Sequence, residues 1–293
     1  MKAIVRVSGG IGNQIFQIGF GDFLNRKFDF EVIYDISSYS SSNISSIKRE
    51  FVGELLFPKG KYENKSIHDI EESYQFDGNT PKNRILGKAK ISVKNFLYLI
   101  KDGLLVHTSE KFFWGWRIFG SHINHIFIGN LQNFDFLSEE FKSEVQRNLV
   151  RVAKPHAPVD FDDFIGVHLR RGDYSNDGSI HQVIEDVYYT QALSLLCALS
   201  EKHRILLFSD EKTSDLDFIG CREVIYVSHL TQDDLTQLLI MSRLRNLVIA
   251  NSTFSAVAAL IGENEKRVVM PTNWYRDGVK IDIPRLPTTW HRV

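Results

Sequence analysis

The chain has 293 residues, of which 43% are hydrophobic and 24% charged, and its formal net charge at pH 7 is −1. Such a composition is typical of a globular protein of one or two domains. The near-zero charge excludes a general attraction to nucleic acid or to anionic membranes. Two cysteines give no disulfide framework and fit a reducing compartment. The N-terminus reads as a strand rather than a signal peptide, and no run reaches the roughly 18 apolar residues that span a bilayer, so we expect a cytoplasmic protein.

The first half of the chain opens with a βαβ pattern. The predicted strand, helix and second strand cover residues 3–8, about 13–27, and 31–35. Gly19 and Gly21 fall inside the helix, where a glycine costs roughly 0.5–1 kcal/mol relative to alanine. Close packing against a strand would explain them. We assign residues 1–155 to a first α/β domain and interpret the serine-rich residues 37–46 as a mobile loop.

An aromatic-rich segment at residues 111–119 has three interpretations. It holds five large aromatic side chains, Phe112, Phe113, Trp114, Trp116 and Phe119. These rings fit a platform for stacking sugars, or a peripheral contact with a membrane surface helped by nearby lysines. They also fit an ordinary hydrophobic core, which is the interpretation we favour.

The second half shows a clearer alternation of strands and helices. The segment 154–158, with two prolines, predicts a domain boundary. Predicted strands lie near 164–170, 204–209, 223–228, 246–251 and 266–270, and predicted helices near 186–201, 232–243 and 254–262. Ser138 and Thr231 fit helix caps. Alternation of this kind predicts a parallel sheet covered on both faces, so we assign residues 156–293 to a second, Rossmann-like α/β domain. The simplest architecture is two such domains with a ligand cleft between them.

Three predicted strands of the second half end in polar residues. The first ends in His168, Arg170, Arg171, Gly172 and Asp173, and paired guanidiniums suit phosphate oxygens. The second ends in Ser209 and Asp210, which could accept from ribose hydroxyls or guanine. The third leads through Asn251, Ser252, Thr253 and Phe254 into a helix, whose N-terminus suits a phosphate. The alternatives are a surface Arg-Gly-Asp turn for the first and plain helix capping for the other two.

The loop after the first strand offers a fourth site. Gly10, Gly12, Asn13 and Gln14 stand where a strand meets a helix, and glycines there let backbone N–H groups approach a phosphate or a sugar. A tight turn is the alternative, and the spacing is not that of the dinucleotide fingerprint. Because the carboxyl ends of parallel strands share one edge, the three strand-end motifs of the second half together predict a nucleoside diphosphate site, and the glycine loop adds to this interpretation.

A metal site is considered for two Asp-x-Asp pairs, Asp160 with Asp162 and Asp215 with Asp217. This spacing matches the acids by which some glycosyltransferases hold Mn²⁺ or Mg²⁺, but it is common by chance. Two arginines and a helix N-terminus can supply the positive charge instead. We therefore predict no metal.

Taken together, the motifs resemble glycosyltransferase family eleven, the α-1,2-fucosyltransferases of bacterial type. The matching stretches are residues 9–17, 168–174, 208–211 and 251–255, in the family's order. The resemblance implies a GT-B-like fold of two Rossmann-like domains with parallel sheets facing a central cleft. Residues 1–155 would form the acceptor side, and residues 156–293 would bind the GDP-sugar.

The resemblance also implies an activity. It is the inverting, metal-independent transfer of L-fucose from GDP-β-L-fucose to the 2-hydroxyl of a terminal galactose, in cell-surface polysaccharide or O-antigen biosynthesis. The acceptor would be an oligosaccharide or a lipid-linked glycan, with peripheral contact at the inner face of the membrane as an option. No cofactor and no nucleic acid are expected.

Roles for individual residues follow from the same resemblance. Arg170 would bind the β-phosphate, Arg171 would shape the site, His168 would lie near guanine, and Ser252 and Thr253 would contact phosphate. For the base that takes the acceptor proton, the candidates are Asp173, then Asp177 and His168.

One departure from the family is visible. The family usually has two tryptophans after Asn-Ser-Thr-Phe-Ser, where this chain has Ala256 and Val257. The acceptor is therefore open, and the alternatives are another linkage or another sugar nucleotide, or a GDP-sugar-binding protein without transferase activity.

Overall fold

A computed structural model describes residues 1–40, 49–65, 104–107, 124–154, 164–172, 174, 179–197, 204–210, 223–262, 265–279 and 283–293. These residues form two compact units, Met1–Phe141 and Lys142–Val293.

The first unit is built on a parallel sheet. Its described strands are β1 (Lys2–Arg6), β2 (Glu31–Asp35), β3 (Tyr62–Glu63), β4 (Leu104–His107) and β5 (Asn124–Phe127), in the order β3-β2-β1-β5-β4. Every pair is parallel. The helices described with them are α1 (Ile11–Phe28) and α2 (Gly53–Leu56), with 3₁₀ turns at Ser37–Tyr39 and Phe134–Phe136.

Helix α1 packs closely against the sheet, as its glycines predict. A Cβ atom added to Gly21 would lie 2.5 Å from the ring of Tyr34 on β2, so only glycine fits there. Gly19 instead faces Leu137 and Phe141. The buried ring of Phe20 lies 4.9 Å from that of Phe127 on β5, in an edge-on contact.

The second unit has a larger sheet. Its described strands are β6 (Phe164–Leu169), β7 (Arg204–Ser209), β8 (Glu223–Tyr226), β9 (Asn246–Val248), β10 (Arg267–Met270) and β11 (His291–Arg292), in the order β11-β10-β9-β6-β7-β8. All these pairs are parallel. The accompanying helices are α3 (Glu139–Val152), α4 (Asp186–Cys197), α5 (Val227–Leu230), α6 (Asp234–Arg243) and α7 (Thr253–Ile261).

Strand β6 lies at the centre of this sheet. All six of its residues are buried, which is typical of a parallel strand covered on both faces. Val167 and Leu169 pack in one cluster with Tyr189 and Leu193 of α4. The polar residues that follow β6 therefore start from a rigid base.

Helix α3 contains the division between the units. The division falls after Phe141, whereas the predicted domain boundary lies at residue 155. The later part of α3 is tied to the second unit, because Gln146 accepts a hydrogen bond from Ser242 at 3.3 Å. Just beyond the helix, the Lys154 N–H donates to Thr236 at 2.9 Å.

The predicted fold class is confirmed at the level of two α/β units with parallel sheets. Small differences concern ends: α1 begins at Ile11, before the predicted start, and β9 ends at Val248, before the predicted end at residue 251. The predicted serine loop lies partly, and the aromatic segment 111–119 wholly, outside the described residues.

Candidate active site

Three adjacent strands of the second unit end at the same edge of the sheet. Strand β6 pairs with β7 on one side and with β9 on the other, and Leu169 lies opposite Ser209 in the register. The residues that follow these strands include Arg170, Asp210 and Asn251. The three motifs predicted from strand ends are thus neighbours on one edge, where α/β proteins bind ligands.

Arg170 is held on two sides. Its Nε lies 3.2 Å from Oδ2 of Asp210, and its Cζ lies 5.5 Å from the centre of the Tyr174 ring. The side chain remains 22% exposed. A carboxylate and an aromatic face thus orient this guanidinium without burying it completely.

Asp210 also holds the backbone of the turn after β6. Its Oδ1 accepts the Arg171 N–H at 3.1 Å, and a Cβ atom added to Gly172 would lie 2.9 Å from its Oδ2. The glycine therefore lets the turn approach the carboxylate. Besides its predicted contact with a nucleoside, this carboxylate thus positions the Arg-Arg-Gly turn.

Arg171 points to a different partner from Arg170. Its Nη2 donates to Asp186, the first residue of α4, and its Cζ lies 6.0 Å from the Tyr189 ring centre. This contact ties the turn after β6 to the start of α4.

His168 is a buried, neutral imidazole. Burial, and then the charge of Arg170, lower its pKa to about 3. Its carbonyl accepts from the Tyr189 hydroxyl at 3.2 Å, and its ring lies 5.8 Å from that of Phe254. A base this weak is poorly matched to proton abstraction near pH 7. The other two candidate bases, Asp173 and Asp177, lie outside the described residues.

The segment before α7 is anchored by Asn251. The Asn251 amide is buried and donates to the carbonyls of Gln182 and Trp274, each at 2.8 Å. Ser252 is the N-cap of α7, and its hydroxyl accepts the Phe254 N–H at 3.4 Å. Thr253 is the first helical residue. The predicted cap is therefore present, at a helix N-terminus beside Arg170's strand.

Ala256 and Val257 are completely buried in α7. Their side chains belong to the core of the second unit and do not line its surface. The absence of the expected tryptophans therefore leaves no exposed gap at these two positions.

The glycine-rich loop lies in the first unit. Gly9 has a positive φ of 82°, which favours glycine, and its carbonyl accepts from the Tyr39 hydroxyl at 2.9 Å. Gly10 is the N-cap of α1, where an added Cβ would lie 2.8 Å from an Arg49 nitrogen. Gly12 is buried. Backbone N–H groups at this helix start remain the feature suited to a ligand.

The amide side chains of the loop bind protein groups. Gln14 is buried; it donates to the Glu50 carbonyl at 2.8 Å and accepts the Val52 N–H at 2.9 Å. Asn13 accepts from Gln132 at 2.9 Å. The Gln14 side chain thus fixes the loop to residues 50–52, a role that its sequence motif did not reveal.

Sequence reasoning also missed a group around Tyr174. Tyr174 stacks on His181 with ring centres 4.3 Å apart, and its carbonyl accepts from Arg276 at 3.1 Å. Arg276 is 102 residues away along the chain, so no local pattern could have indicated the pair.

Within the described ranges, no three His, Cys, Asp or Glu residues come together as a metal site. The two Asp-x-Asp pairs lie outside those ranges. None of the helices described is long and apolar enough to cross a membrane.

Comparison with known proteins identifies the class as a glycosyltransferase. The family model described as Glycosyl transferase family 11 matches residues 113–284, more than half of the chain. The chain belongs to this family, as the motifs predict. It is also 22% identical to the O-antigen biosynthesis glycosyltransferase WbnK of Escherichia coli, over 92% of this chain and 93% of that protein.

Two solved structures are more distantly similar. One is the alpha-1,6-fucosyltransferase NodZ soaked with GDP-fucose, with a TM-score of 0.47, 14% identity, and coverage of 89% of this chain and 92% of that one. The other is the E. coli heptosyltransferase WaaC with ADP, with a TM-score of 0.42, 9% identity, and coverage of 100% and 92%.

Proposed function

We propose that this glycosyltransferase transfers L-fucose from GDP-β-L-fucose to the 2-hydroxyl of a terminal galactose. The observation that carries the proposal is that Arg170 and the N-terminus of α7 follow two adjacent strands, β6 and β9. Both groups favour a diphosphate, and the chain belongs to glycosyl transferase family 11.

The donor would lie along the edge formed by β9, β6 and β7. Its diphosphate would lie between the guanidinium of Arg170 and the backbone N–H groups at Ser252 and Thr253. The nucleoside would lie towards His168, Ser209 and Asp210. A neutral His168 suits this role because it adds no charge beside a purine base.

The chemical step would be an inverting displacement at the anomeric carbon of fucose. The acceptor oxygen forms a bond to that carbon as the bond to the β-phosphate oxygen breaks, and the leaving group is GDP. Negative charge grows on the β-phosphate, so fixed donors aimed at it stabilise the transition state more than the ground state. The acceptor proton would pass to Asp173, our first candidate base.

The acceptor would be a glycan of cell-surface polysaccharide synthesis. The support is the similarity to WbnK, which is named for O-antigen biosynthesis and matches along nearly the whole chain. The glycan would be a free oligosaccharide or a lipid-linked one, and the latter would bring the protein to a membrane surface.

The direct test is a transfer assay with GDP-fucose and a panel of galactosides, followed by NMR of the product. We expect fucose linked α to the 2-hydroxyl. A product linked at another hydroxyl would correct the linkage, while transfer from a different nucleotide sugar would correct the donor. Tight binding of GDP-fucose, with no hydrolysis and no transfer to any acceptor, would favour a binding protein.

Metal independence has its own test. We expect full transfer activity in EDTA, because Arg170 and the α7 N-terminus supply the positive charge that a metal would bring. The control is the same assay with added Mg²⁺ or Mn²⁺. A loss of activity in EDTA that Mn²⁺ restores would reverse this prediction and turn attention to the Asp-x-Asp pairs.

A further inference from the structure

Tyr174, which lies beside Arg170, is fixed by a group of residues from distant parts of the chain. It is 7% exposed. Its hydroxyl donates to the Asn251 carbonyl at 3.2 Å, and its ring stacks on His181 with an interplanar angle of 8°. Since the Arg170 guanidinium lies over this ring, the position of Tyr174 limits where the guanidinium can lie.

Arg276 binds the backbone of both stacked residues, Tyr174 and His181. Its Nη2 donates to the Tyr174 carbonyl at 3.1 Å, and its Nε donates to the His181 carbonyl at 3.2 Å. A planar fork can reach both oxygens at once, which a single ammonium group does less well. One side chain thus holds both residues of the stack through their backbones.

The segment that carries Arg276 is itself paired to the segment that carries His181. His181 and Tyr275 form an antiparallel bridge, and the Arg276 N–H donates to the Ile180 carbonyl at 3.0 Å. The Asn251 amide crosslinks the same two segments through Gln182 and Trp274. The assembly therefore connects the end of β6 with the start of α7, the two places proposed for the diphosphate.

We propose that Arg276 is a positioning residue for Arg170. It acts through the carbonyls of Tyr174 and His181, which it holds so that the tyrosine ring supports the guanidinium. The inference rests on the proposed function, because Arg170 is the group proposed to bind the leaving phosphate. Without Arg276, two carbonyls lose a charged donor and Tyr174 gains freedom.

The test is a double-mutant cycle on transfer kinetics. Arg276→Met keeps the length of the side chain but removes its donors, and we expect kcat to fall about 10-fold to 100-fold, because small misplacements of a catalytic group cost this much. The KM for the acceptor should change by less than about 2-fold. In the Arg170→Lys background, where the fork is already lost, Arg276→Met should cost only about 2-fold more.

Two further variants make the result decisive. Arg267→Met is the matched control: Arg267 is exposed and begins β10, at the opposite edge of the sheet, so kcat should not change. Arg276→Lys, the conservative variant, should recover part of the lost kcat and serves if Arg276→Met does not fold. The inference would be overturned if the kcat losses of Arg276→Met and Arg170→Lys multiply in the double variant. It would also be overturned if the kcat of Arg276→Met equals that of the wild type.

Failure of the proposed function would look different. In that case the wild-type protein itself neither binds GDP nor transfers fucose, and the inference falls with it. If the wild type is active and the cycle is multiplicative, the proposed function stands and only the role of Arg276 is wrong.

Discussion

At the scale of single residues, the two adjacent arginines after β6 have separate tasks. Arg171 is committed to Asp186 at the start of α4, while Arg170 lies between Asp210 and the ring of Tyr174. The two acids come from different elements, since Asp210 follows β7 and Asp186 begins α4. We propose Arg170, whose strand lies next to β9, as the group that binds the leaving phosphate.

Replacing Arg170 with lysine tests this assignment. The variant keeps the positive charge but loses the planar fork, so we expect kcat to fall about 100-fold or more. Arg267→Lys, on an exposed side chain, serves as the control. Steady-state transfer assays measure both, and near-wild-type turnover of Arg170→Lys would remove the central claim about the site.

A pair of buried histidines in the first unit makes a second prediction at this scale. His107 Nε2 and His125 Nδ1 are 2.9 Å apart on the neighbouring strands β4 and β5. Burial lowers the pKa of His107 to about 3 and that of His125 to about 4. One neutral ring donates to the other, an arrangement that protonation of both would break.

The stability of the protein should therefore fall in mild acid. The unfolded chain takes up protons on these rings below a pH of about 6.5, while the folded chain does not until about pH 4 or 3. Stability is full above pH 6.5 and declines as the pH falls through that window. Urea unfolding at pH 7.5 and 5 measures it; His107→Phe should flatten the decline, whereas His291→Asn, on an exposed residue, should not.

At the scale of elements, helix α1 depends on a glycine contact with the sheet. Gly21→Ala should lower the free energy of unfolding by about 1–3 kcal/mol, because the new methyl group overlaps the Tyr34 ring. The ring cannot easily move, since its hydroxyl donates to the Ile18 carbonyl at 2.9 Å. Lys27→Ala, exposed on the same helix, is the control, and a Gly21→Ala protein as stable as that control would contradict the packing argument.

The helix ends show how far sequence patterns reach. Ser138 was predicted to cap α3, and its hydroxyl accepts the Phe141 N–H at 3.1 Å. Thr231 was predicted to cap α6, but the N-cap is Asp233, which accepts the Thr236 N–H. The prediction was wrong because Thr231 binds the Asp233 N–H instead, which places the first helical turn two residues later. Both residues fit the local pattern, and the backbone conformation decided between them.

The site shows a similar limit. The strand ends that carry Arg170, Asp210 and Asn251 could be predicted, because a parallel sheet brings its carboxyl ends to one edge. The partners of those residues could not. Asn251 binds carbonyls 69 and 23 residues away, so its task as an anchor depends on tertiary contacts. Sequence motifs can therefore locate the site, but they do not show which of its side chains are held by other protein groups.

At the scale of the whole molecule, a nucleotide should stabilise the folded protein. A ligand that binds only the folded state at 100 times its Kd adds about 2.7 kcal/mol. We expect GDP to raise the Tm, measured by differential scanning calorimetry, more than ADP or UDP does. Equal protection by all three nucleotides would contradict guanine recognition, and Arg170→Lys should show a smaller GDP shift.

The burial of Ala256 and Val257 has a consequence for engineering. Helix α7 presents small and medium side chains to a filled interior, so the two tryptophans of the wider family would not fit there without rearrangement. Transplanting that pair to redirect sugar-acceptor choice should therefore yield an insoluble protein rather than a new specificity. Successful chimeras would exchange α7 together with α6, the helix that packs against it.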